Sequence, residues 1–459
     1  MKKIILLTLL MVSIGLSAVE LNLEESVRMA IENNKSLQKA KDEVEKYRYD
    51  YNTVRGNLFP QVTFSGGYMF KHTNLPDSAI LEMPSLSSML DSTATENDNL
   101  IAEYLDNALG GFMPSQENSE YSLAGSIQMS QAIFLGGKLI NGISVASKLY
   151  HLQEKRYYLE EQNIIFATKD LYYKTKLALE LAKIQADALE FANLYYKQVN
   201  NMYTEGLVSE YDNLRAELEV RKIHPQVLEA EKNAQLALQS FANHLGLKNS
   251  ELVLKDDVKL DDMHLIELED AISSGLDNRM ELELSAIGVE VSKVMLRYEK
   301  GNFLPNIAIT ADYNFFGMDS EKIESDDWGN NYSVGIGFSM PLFTGGANTY
   351  KMKKAKHTLH QSELDHETLM ELVELDVRNS YLQWQTDLEK VDNQKQNQEL
   401  AEMGLKIAQA RYENQVSNQL ELIDAQLQVK TAKLSYMNAQ YAAVISYEKL
   451  LKAMGKTLK

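Results

Sequence analysis

The sequence predicts a mostly α-helical protein with a small β part, built from two copies of a helix–β-hairpin–helix unit. The first observation behind this prediction is an internal repeat, in which residues 203–212 align without a gap on residues 412–421. The second is that short segments of alternating apolar and polar residues lie between long segments with the spacing of amphipathic helices. A duplicated unit of this length is difficult to interpret as an enzyme and indicates one wall of a larger tube.

The N-terminus carries a predicted secretory signal peptide, residues 1–18. A basic start is followed by an apolar run over residues 4–16 and by the small residues Ser17 and Ala18, a pattern typical of a cleaved signal and too short for a membrane helix. The chain contains no cysteine, so a lipidation site at the cleavage point, disulfides and thiolate chemistry are excluded. An exported chain without cysteine indicates a bacterial envelope protein.

The charge and the hydropathy pattern restrict which partners this chain can bind and which kind of segment could cross a membrane. A formal net charge of −19 at pH 7, with no basic stripe, argues against nucleic acid. Beyond residue 18, no run approaches the roughly 20 apolar residues that a membrane helix needs. If this chain crosses a membrane, we therefore expect it to cross as β-strands.

Each predicted repeat contains two such strands. The first repeat is expected over residues 19–262, with strands at about 58–70 and 121–134. The second is expected over residues 263–459, with strands at about 304–316 and 332–343. Apolar positions in these strands include Val62, Phe64, Ile307, Ile309, Val334 and Ile336, and they alternate with small polar residues. Period two over about ten residues matches a tilted strand that crosses a bilayer.

An alternative interpretation of the strands is a half-buried antiparallel sheet packed on helices in a soluble protein. Each strand by itself fits this alternative about as well. The polar face, however, is small and uncharged except at Asp312, as suits a wet lumen. Four strands are too few to close a barrel, and open edges in lipid leave backbone groups unsatisfied. Strands that span a membrane therefore require several chains to share one barrel.

Long helices are predicted around the strands in both halves. They cover residues 24–56 with a break at Asn33-Asn34, 138–202, 209–245, 269–301, 347–412 and 417–454, with a short helix at 99–109 in the polar loop 71–120. At a rise of 1.5 Å per residue the longest helices would extend roughly 95 Å. The two shorter helices of each half, stacked end to end, would match that length.

Several short motifs together resemble one family. They are Leu23-Glu24-Glu25-Ser26-Val27, the strand-opening segments 56–60 and 301–305, the Phe-x-Gly-Gly segments 134–137 and 343–346, and residues 412–426. In this order the chain resembles the TolC-type outer-membrane efflux proteins over about residues 21–454. The resemblance implies a homotrimer with a 12-stranded transmembrane β-barrel, joined to a long α-helical periplasmic barrel.

The same resemblance implies a function and a location. The expected function is the outer-membrane channel of a tripartite efflux or type I secretion system, in the cell outer membrane with a large periplasmic part. Its expected partners are further copies of itself, a periplasmic adaptor, an inner-membrane transporter and outer-membrane lipid. No enzymatic activity and no cofactor are expected.

The resemblance also assigns residues around two helical turns. Glu421 and Asp424 fall on the acids of the periplasmic gate, and Tyr412 and Asp212 fall on the contact that closes it. The family's gate arginine falls on Ser417 in this chain. The element where the adaptor docks corresponds to Gly206, Leu207, Val208 and Ser209.

No catalytic or metal-binding constellation is recognisable in the sequence. His357, His360 and His366 lie on one predicted helix, but His366 is off the face that the other two share, so a solvated helix is the better interpretation. Two hypotheses remain. The first is an outer-membrane export duct, and the alternative is an exported coiled-coil scaffold or surface protein without a channel, whose strands are only joints.

Overall fold

The computed structural model describes residues 19–74, 85–91, 94–110, 117–247, 252–256, 260, 263, 265–319, 323–324, 328–414, 416–417 and 419–456. The predicted signal peptide lies outside these residues. Contacts divide the chain into two compact units, and each unit combines segments from both halves of the sequence. One, called the helical unit below, comprises residues 1–50, 145–293 and 355–459. The other comprises residues 51–144 and 294–354 and contains the main β-sheet.

Local capping and backbone conformation determine where the first two helices begin and end. Helix α1 (Leu23–Asn33) starts at a capping box in which the Asn22 side chain accepts a hydrogen bond from the Glu25 amide at 2.7 Å. The backbone of Asn34 is extended, and helix α2 (Lys35–Gly56) begins directly after it. The predicted break at Asn33-Asn34 is therefore confirmed.

The remaining helices of the first half follow in the predicted order. They are α3 (Glu96–Gly110), α4 (Lys138–Thr204) and α5 (Glu210–His244). The 67 residues of α4 extend about 100 Å at the usual helical rise.

The helices of the second half repeat this order. They are α6 (Leu268–Asn278), α7 (Met280–Lys300), α8 (Ala347–Glu413) and α9 (Gln419–Ala453). Residues 269–301 were predicted as one helix, but the extended backbone of Arg279 separates α6 from α7, as Asn34 separates α1 from α2. Arg279 pairs there with Glu281 and Asp376 at 3.3 and 2.6 Å. Among the helices in the described part of the chain, none has the length and apolar character needed to span a bilayer.

A small parallel sheet joins two segments that are far apart in the sequence. Strand β1 (Val19–Leu21) pairs with β4 (Leu252–Leu254), and Leu21 lies opposite Leu254. The sequence patterns missed both strands, because three residues are too few to display period two.

The main sheet contains four antiparallel strands among the described residues. These are β2 (Gln61–Asn74), β3 (Glu117–Leu135), β5 (Asn306–Asp319) and β6 (Trp328–Ser339), hydrogen-bonded in the order β2-β3-β5-β6. The two hairpins thus meet through β3 and β5, one strand from each half of the sequence.

The first and last residues of the strands differ from the predicted ones. The first strand begins at residue 61 instead of 58, because the amides of Leu58 and Phe59 bond back to the end of α2 and Pro60 has no N–H. The fourth strand covers residues 328–339 instead of 332–343. Pro341 offers no amide to the ladder, whereas Trp328 pairs with Gly317 at the other end. The first strand ends at residue 74 instead of 70, the second covers residues 117–135 instead of 121–134, and the third covers residues 306–319 instead of 304–316.

Each half of the sequence has its own apolar core in the helical unit. The core of the first half combines α1, α4 and α5 with the small parallel sheet, and it is centred on Tyr172, Phe241 and Leu245. The core of the second half combines α6, α8 and α9 around Val377, Trp384 and Leu450. The duplicated sequence therefore builds two corresponding cores.

Candidate functional site: the sheet faces and two helical turns

The register of the main sheet aligns the apolar residues of all four strands on one face. Across the strands, Val62 lies opposite Met129, which lies opposite Ala311, which lies opposite Val334. The next row of this face consists of Phe64, Ile127, Tyr313 and Tyr332. Directly opposed residues share a face of the sheet. Val62 and Val334 are 65% and 75% exposed, so this is a broad apolar surface that the described residues of this chain leave uncovered.

On the opposite face of the sheet, the rows beside these apolar rows consist of polar side chains. One row consists of Thr63, Gln128, Asp312 and Ser333, and the next of Ser65, Ser126, Asn314 and Asn331. Neighbours along these rows bond to each other: the hydroxyls of Ser65 and Ser126 are 2.7 Å apart, and the Asn314 amide donates to Asn331 at 2.9 Å. The sheet therefore has one face suited to hydrocarbon and one suited to water.

A second cluster of predicted residues lies at the turn between α4 and α5. Gly206 has a φ of +77°, and the Leu207 amide donates to the Met202 carbonyl at 2.8 Å, which is the hydrogen bond of a Schellman motif. Ser209 caps α5 through a capping box, in which its hydroxyl accepts from the Asp212 amide at 3.2 Å and its amide donates to the Asp212 carboxylate at 3.3 Å. The Ser209 hydroxyl also donates to that carboxylate, at 2.6 Å. Leu207 is 66% exposed at the tip of the turn.

The turn between α8 and α9 closes in the same way. The Val416 amide donates to the Arg411 carbonyl at 2.8 Å, as Leu207 does to Met202. Val416 is 68% exposed, so both turns present an aliphatic side chain at the tip. The residue that corresponds to Gly206 is Gln415, which lies outside the described residues. The second turn therefore keeps the closing hydrogen bond of the first although its sequence lacks the glycine.

An apolar cluster packs the two turns together. Tyr195 and Val199 of α4, Ala216 of α5, Ala408 of α8 and Leu422 of α9 are its buried members. Val208, Tyr412 and Ile423 pack against them, together with Tyr196, Leu405 and Ala425. The two turns consequently sit side by side in one unit, which brings the predicted gate and docking residues into one region.

The predicted closing contact has different neighbours within this chain. The Tyr412 hydroxyl accepts a hydrogen bond from the Tyr195 hydroxyl at 3.4 Å, and the two rings are 6.1 Å apart. The Asp212 carboxylate accepts from Ser209. Each residue of the predicted pair therefore already has a polar neighbour, and the hydrogen bond between them stays a prediction.

The predicted gate acids lie in the first turns of α9. Glu421 is held by the Arg411 guanidinium, with Nη1 and Oε1 2.8 Å apart. Asp424 is exposed and lies three residues further, so the two acids share a helix face. The Ser417 hydroxyl is buried and has no hydrogen-bond partner among the described residues. Arg411 and Tyr195 are the residues that sequence reasoning missed, and an arginine beside Tyr412 was the only local signal.

Metal binding finds no support in the described residues. In that part of the chain, no group of three or more His, Asp or Glu side chains is placed to hold a metal ion. His360 instead lies 4.0 Å from Glu363 on the same helix.

Comparisons with known proteins agree with this geometry. The outer membrane channel CmeC of Campylobacter jejuni superposes with a TM-score of 0.74 at 17% sequence identity, over 94% of this chain and 85% of that chain. This chain therefore has the same fold as that protein. Outer membrane protein TolC of Salmonella enteritidis is 21% identical over 355 residues, which are 75% of this chain and 71% of that protein. Outer membrane efflux protein BepC of Brucella suis biovar 1 is 20% identical over 344 residues, 74% of each chain.

A comparison with protein families gives the particular assignment. Residues 27–247 and 271–456 match the family described as outer membrane efflux protein. Because these segments cover most of the chain, the chain belongs to the outer membrane efflux protein family. The predicted resemblance and the predicted location in the outer membrane are thereby confirmed. The family is one of efflux proteins, and the absence of enzymatic activity stays a prediction.

Proposed function

We propose that three copies of this chain form the outer-membrane channel of a tripartite efflux or type I secretion system. The three four-stranded sheets combine into one 12-stranded transmembrane barrel. The helical unit lies in the periplasm as an α-helical barrel. Substrates pass from an inner-membrane transporter and a periplasmic adaptor through this duct to the exterior.

The two-faced, open sheet is the observation that carries this proposal. Its apolar rows run across all four strands, and its polar rows line the opposite face. Within the described residues, β2 pairs only with β3 and β6 only with β5, so both outer strands offer a free edge. A free edge in hydrocarbon costs several kcal/mol for each bare backbone group, and only closure with other copies removes it.

The turns are the proposed inner end of the duct. The exposed Leu207 lies between Gly206 and Val208, and Ser209 fixes the start of α5, so residues 206–209 form a rigid knob on which a helical hairpin of an adaptor can dock. The equivalent Val416 in the second turn provides each chain of the trimer with a second docking point. Aliphatic tips held by backbone hydrogen bonds are suited to apolar docking.

A hydrogen bond of Tyr412 is proposed to hold the gate closed. Glu421 and Asp424 are proposed to select which ions pass. Because the Tyr412 oxygen accepts from Tyr195, its own proton remains for donation to the Asp212 carboxylate, which is a charge-assisted contact. Glu421 and Asp424 from three chains would surround one axis. Carboxylates so close together repel one another and attract cations.

The proposal is tested with full-length protein extracted from membranes in detergent. We expect a single oligomeric species in sedimentation, with the mass of a trimer, and cation-selective conductance after insertion into planar bilayers. Binding of a purified adaptor should weaken when Leu207 is replaced by Asp, with the exposed Leu400→Asp on the same unit as a matched control. A folded monomer, or a protein that needs no detergent, would contradict the channel and favour the exported scaffold.

A further inference from the structure

The side chains of Arg411 and Glu421 form an ion pair across the second helical turn. Arg411 belongs to the last turn of α8 and Glu421 to the first turn of α9, and Nη1 lies 2.8 Å from Oε1. The two side chains are 49% and 40% exposed. An ion pair with this exposure contributes little to the free energy of folding. Its main effect is on the distribution of charge at the second turn.

The backbone fixes Arg411 in this position. Its carbonyl accepts hydrogen bonds from the amides of Val416 and Ser417 at 2.8 and 3.3 Å. The next residue, Tyr412, packs into the apolar cluster that also buries Leu422, the neighbour of Glu421. The two ends of the ion pair are therefore attached to packed residues, and the arginine lies against Ser417.

The internal repeat indicates that the turn does not need this ion pair in order to form. In the repeat register, Arg411 corresponds to Met202 and Glu421 corresponds to Asp212. The first turn makes the same closing hydrogen bond with a methionine at that position, and Asp212 bonds to Ser209 instead. The cation is thus specific to the turn that carries the proposed gate acids.

We infer that Arg411 sets the charge of the proposed constriction, and this inference rests on the proposed channel function. By compensating Glu421, it leaves one net negative charge per chain from this group, carried by Asp424. Arg411 is accordingly a residue that determines ion selectivity, supplied from the end of α8 and not from the turn position occupied by Ser417.

The test compares five variants of the full chain in planar bilayers with the wild type. Arg411→Gln adds one net negative charge per chain, Glu421→Gln removes one, and the double variant restores the wild-type charge. Arg378→Gln is the matched control, because Arg378 pairs with Glu374 at 3.2 Å on the same helix and is similarly exposed. Reversal potentials under a KCl gradient and block by hexaamminecobalt(III) are measured for each.

We expect cation preference to decrease in the order Arg411→Gln, wild type and double variant together, then Glu421→Gln. Block by the trivalent ion should tighten about fivefold in Arg411→Gln, since its attraction grows with each added charge near the axis. Arg411→Lys keeps the cation and should behave as the wild type, which separates charge from folding. Trimer yield in sedimentation checks assembly of every variant.

Three results would overturn the inference, and they are distinguishable. If the wild type conducts but Arg411→Gln matches Arg378→Gln, Arg411 does not set the charge and the channel proposal stands. If the double variant follows Glu421→Gln instead of the wild type, the two side chains do not compensate each other. A wild-type protein that forms no conducting pores would overturn the proposed function and this inference with it.

Discussion

Lys169 and Glu448 form an almost buried ion pair between the long helix of the first half and the last helix of the second. The Lys169 ammonium donates to both carboxylate oxygens of Glu448, at 2.9 and 3.0 Å. The side chains are only 10% and 14% exposed. This contact joins α4 to α9 in the helical unit, and nothing in the sequence indicates that the two residues are partners.

Removal of one partner of this pair should destabilise the protein strongly. Lys169→Met or Glu448→Gln leaves its partner buried and uncompensated, which costs about 3–5 kcal/mol, whereas replacing both by apolar residues should be nearly neutral. The measurement is denaturant unfolding of the detergent-solubilised protein. The exposed pair Lys433–Glu402 provides the control and should contribute about 0–1 kcal/mol. Equal losses at both pairs would contradict the importance of burial.

The two faces of the main sheet should respond differently to charge. Val62 and Thr63 are neighbours on β2 that belong to opposite faces. Val62→Lys places an ammonium among the apolar rows and should cost about 2–4 kcal/mol near the membrane midplane. Thr63→Lys places it on the polar face and should be tolerated. The yield of assembled oligomer in membranes measures both, and equal damage would argue against a water-filled lumen.

The gate should open more readily without the Tyr412 hydroxyl. A charge-assisted hydrogen bond to Asp212 contributes about 1.5–3 kcal/mol, so Tyr412→Phe and Asp212→Asn should each shift the closed-to-open ratio by roughly 10- to 100-fold. Single-channel conductance reports this shift. Tyr195→Phe is the control, because it removes the donor to Tyr412 but leaves the Tyr412 proton in place. If only Tyr195→Phe raises conductance, the tyrosine pair is the closing contact.

Charge at the constriction should control block by multivalent cations. Replacing Glu421 by Gln and Asp424 by Asn together keeps the shape and removes the carboxylates. Block by a trivalent cation from the periplasmic side should then vanish while trimers still form, because no anionic oxygens remain to face a hard ion. Dose–response curves in planar bilayers measure it. A wild-type channel without block or cation preference would identify both acids as ordinary solvated helix residues.

Acid should weaken the helical unit through His244. Burial lowers the pKa of His244, and its Nε2 lies 2.8 Å from the Thr168 hydroxyl, which itself donates to the Ile164 carbonyl. The unfolded chain then binds the proton more readily than the folded one. The contribution of neutral His244 to the free energy of unfolding should therefore be fully present above the ordinary histidine pKa of about 6.5. It should decrease as the pH falls below that value.

His244→Gln keeps a donor for Thr168 and removes the titration. The wild type should lose more thermal stability than this variant between pH 7.5 and pH 5.5. Melting temperatures of the two proteins at both pH values measure the difference. Identical losses would exclude His244 as the source of acid sensitivity.

Local patterns in the sequence predicted much of the fold. Alternation of apolar and polar residues located the four strands of the main sheet, and helical spacing located α4, α5, α8 and α9 to within a few residues. Their ends were less precise where a proline such as Pro341 removes a ladder hydrogen bond. Family resemblance gave the candidate site residues, because the order of several short motifs along the chain identified the turns that contain Gly206 and Tyr412.

By itself, the sequence thus determined the duplicated helix–hairpin–helix order, the two faces of each strand and the membership in a family of outer-membrane efflux proteins. These follow from signals that lie within a few residues of one another. Only the tertiary structure decided that β3 pairs with β5, that β1 pairs with β4, and that Arg411 holds Glu421 while Lys169 holds Glu448. Such contacts depend on how separate helices and strands pack, and packing distances between residues far apart in the chain leave no periodic trace in the sequence.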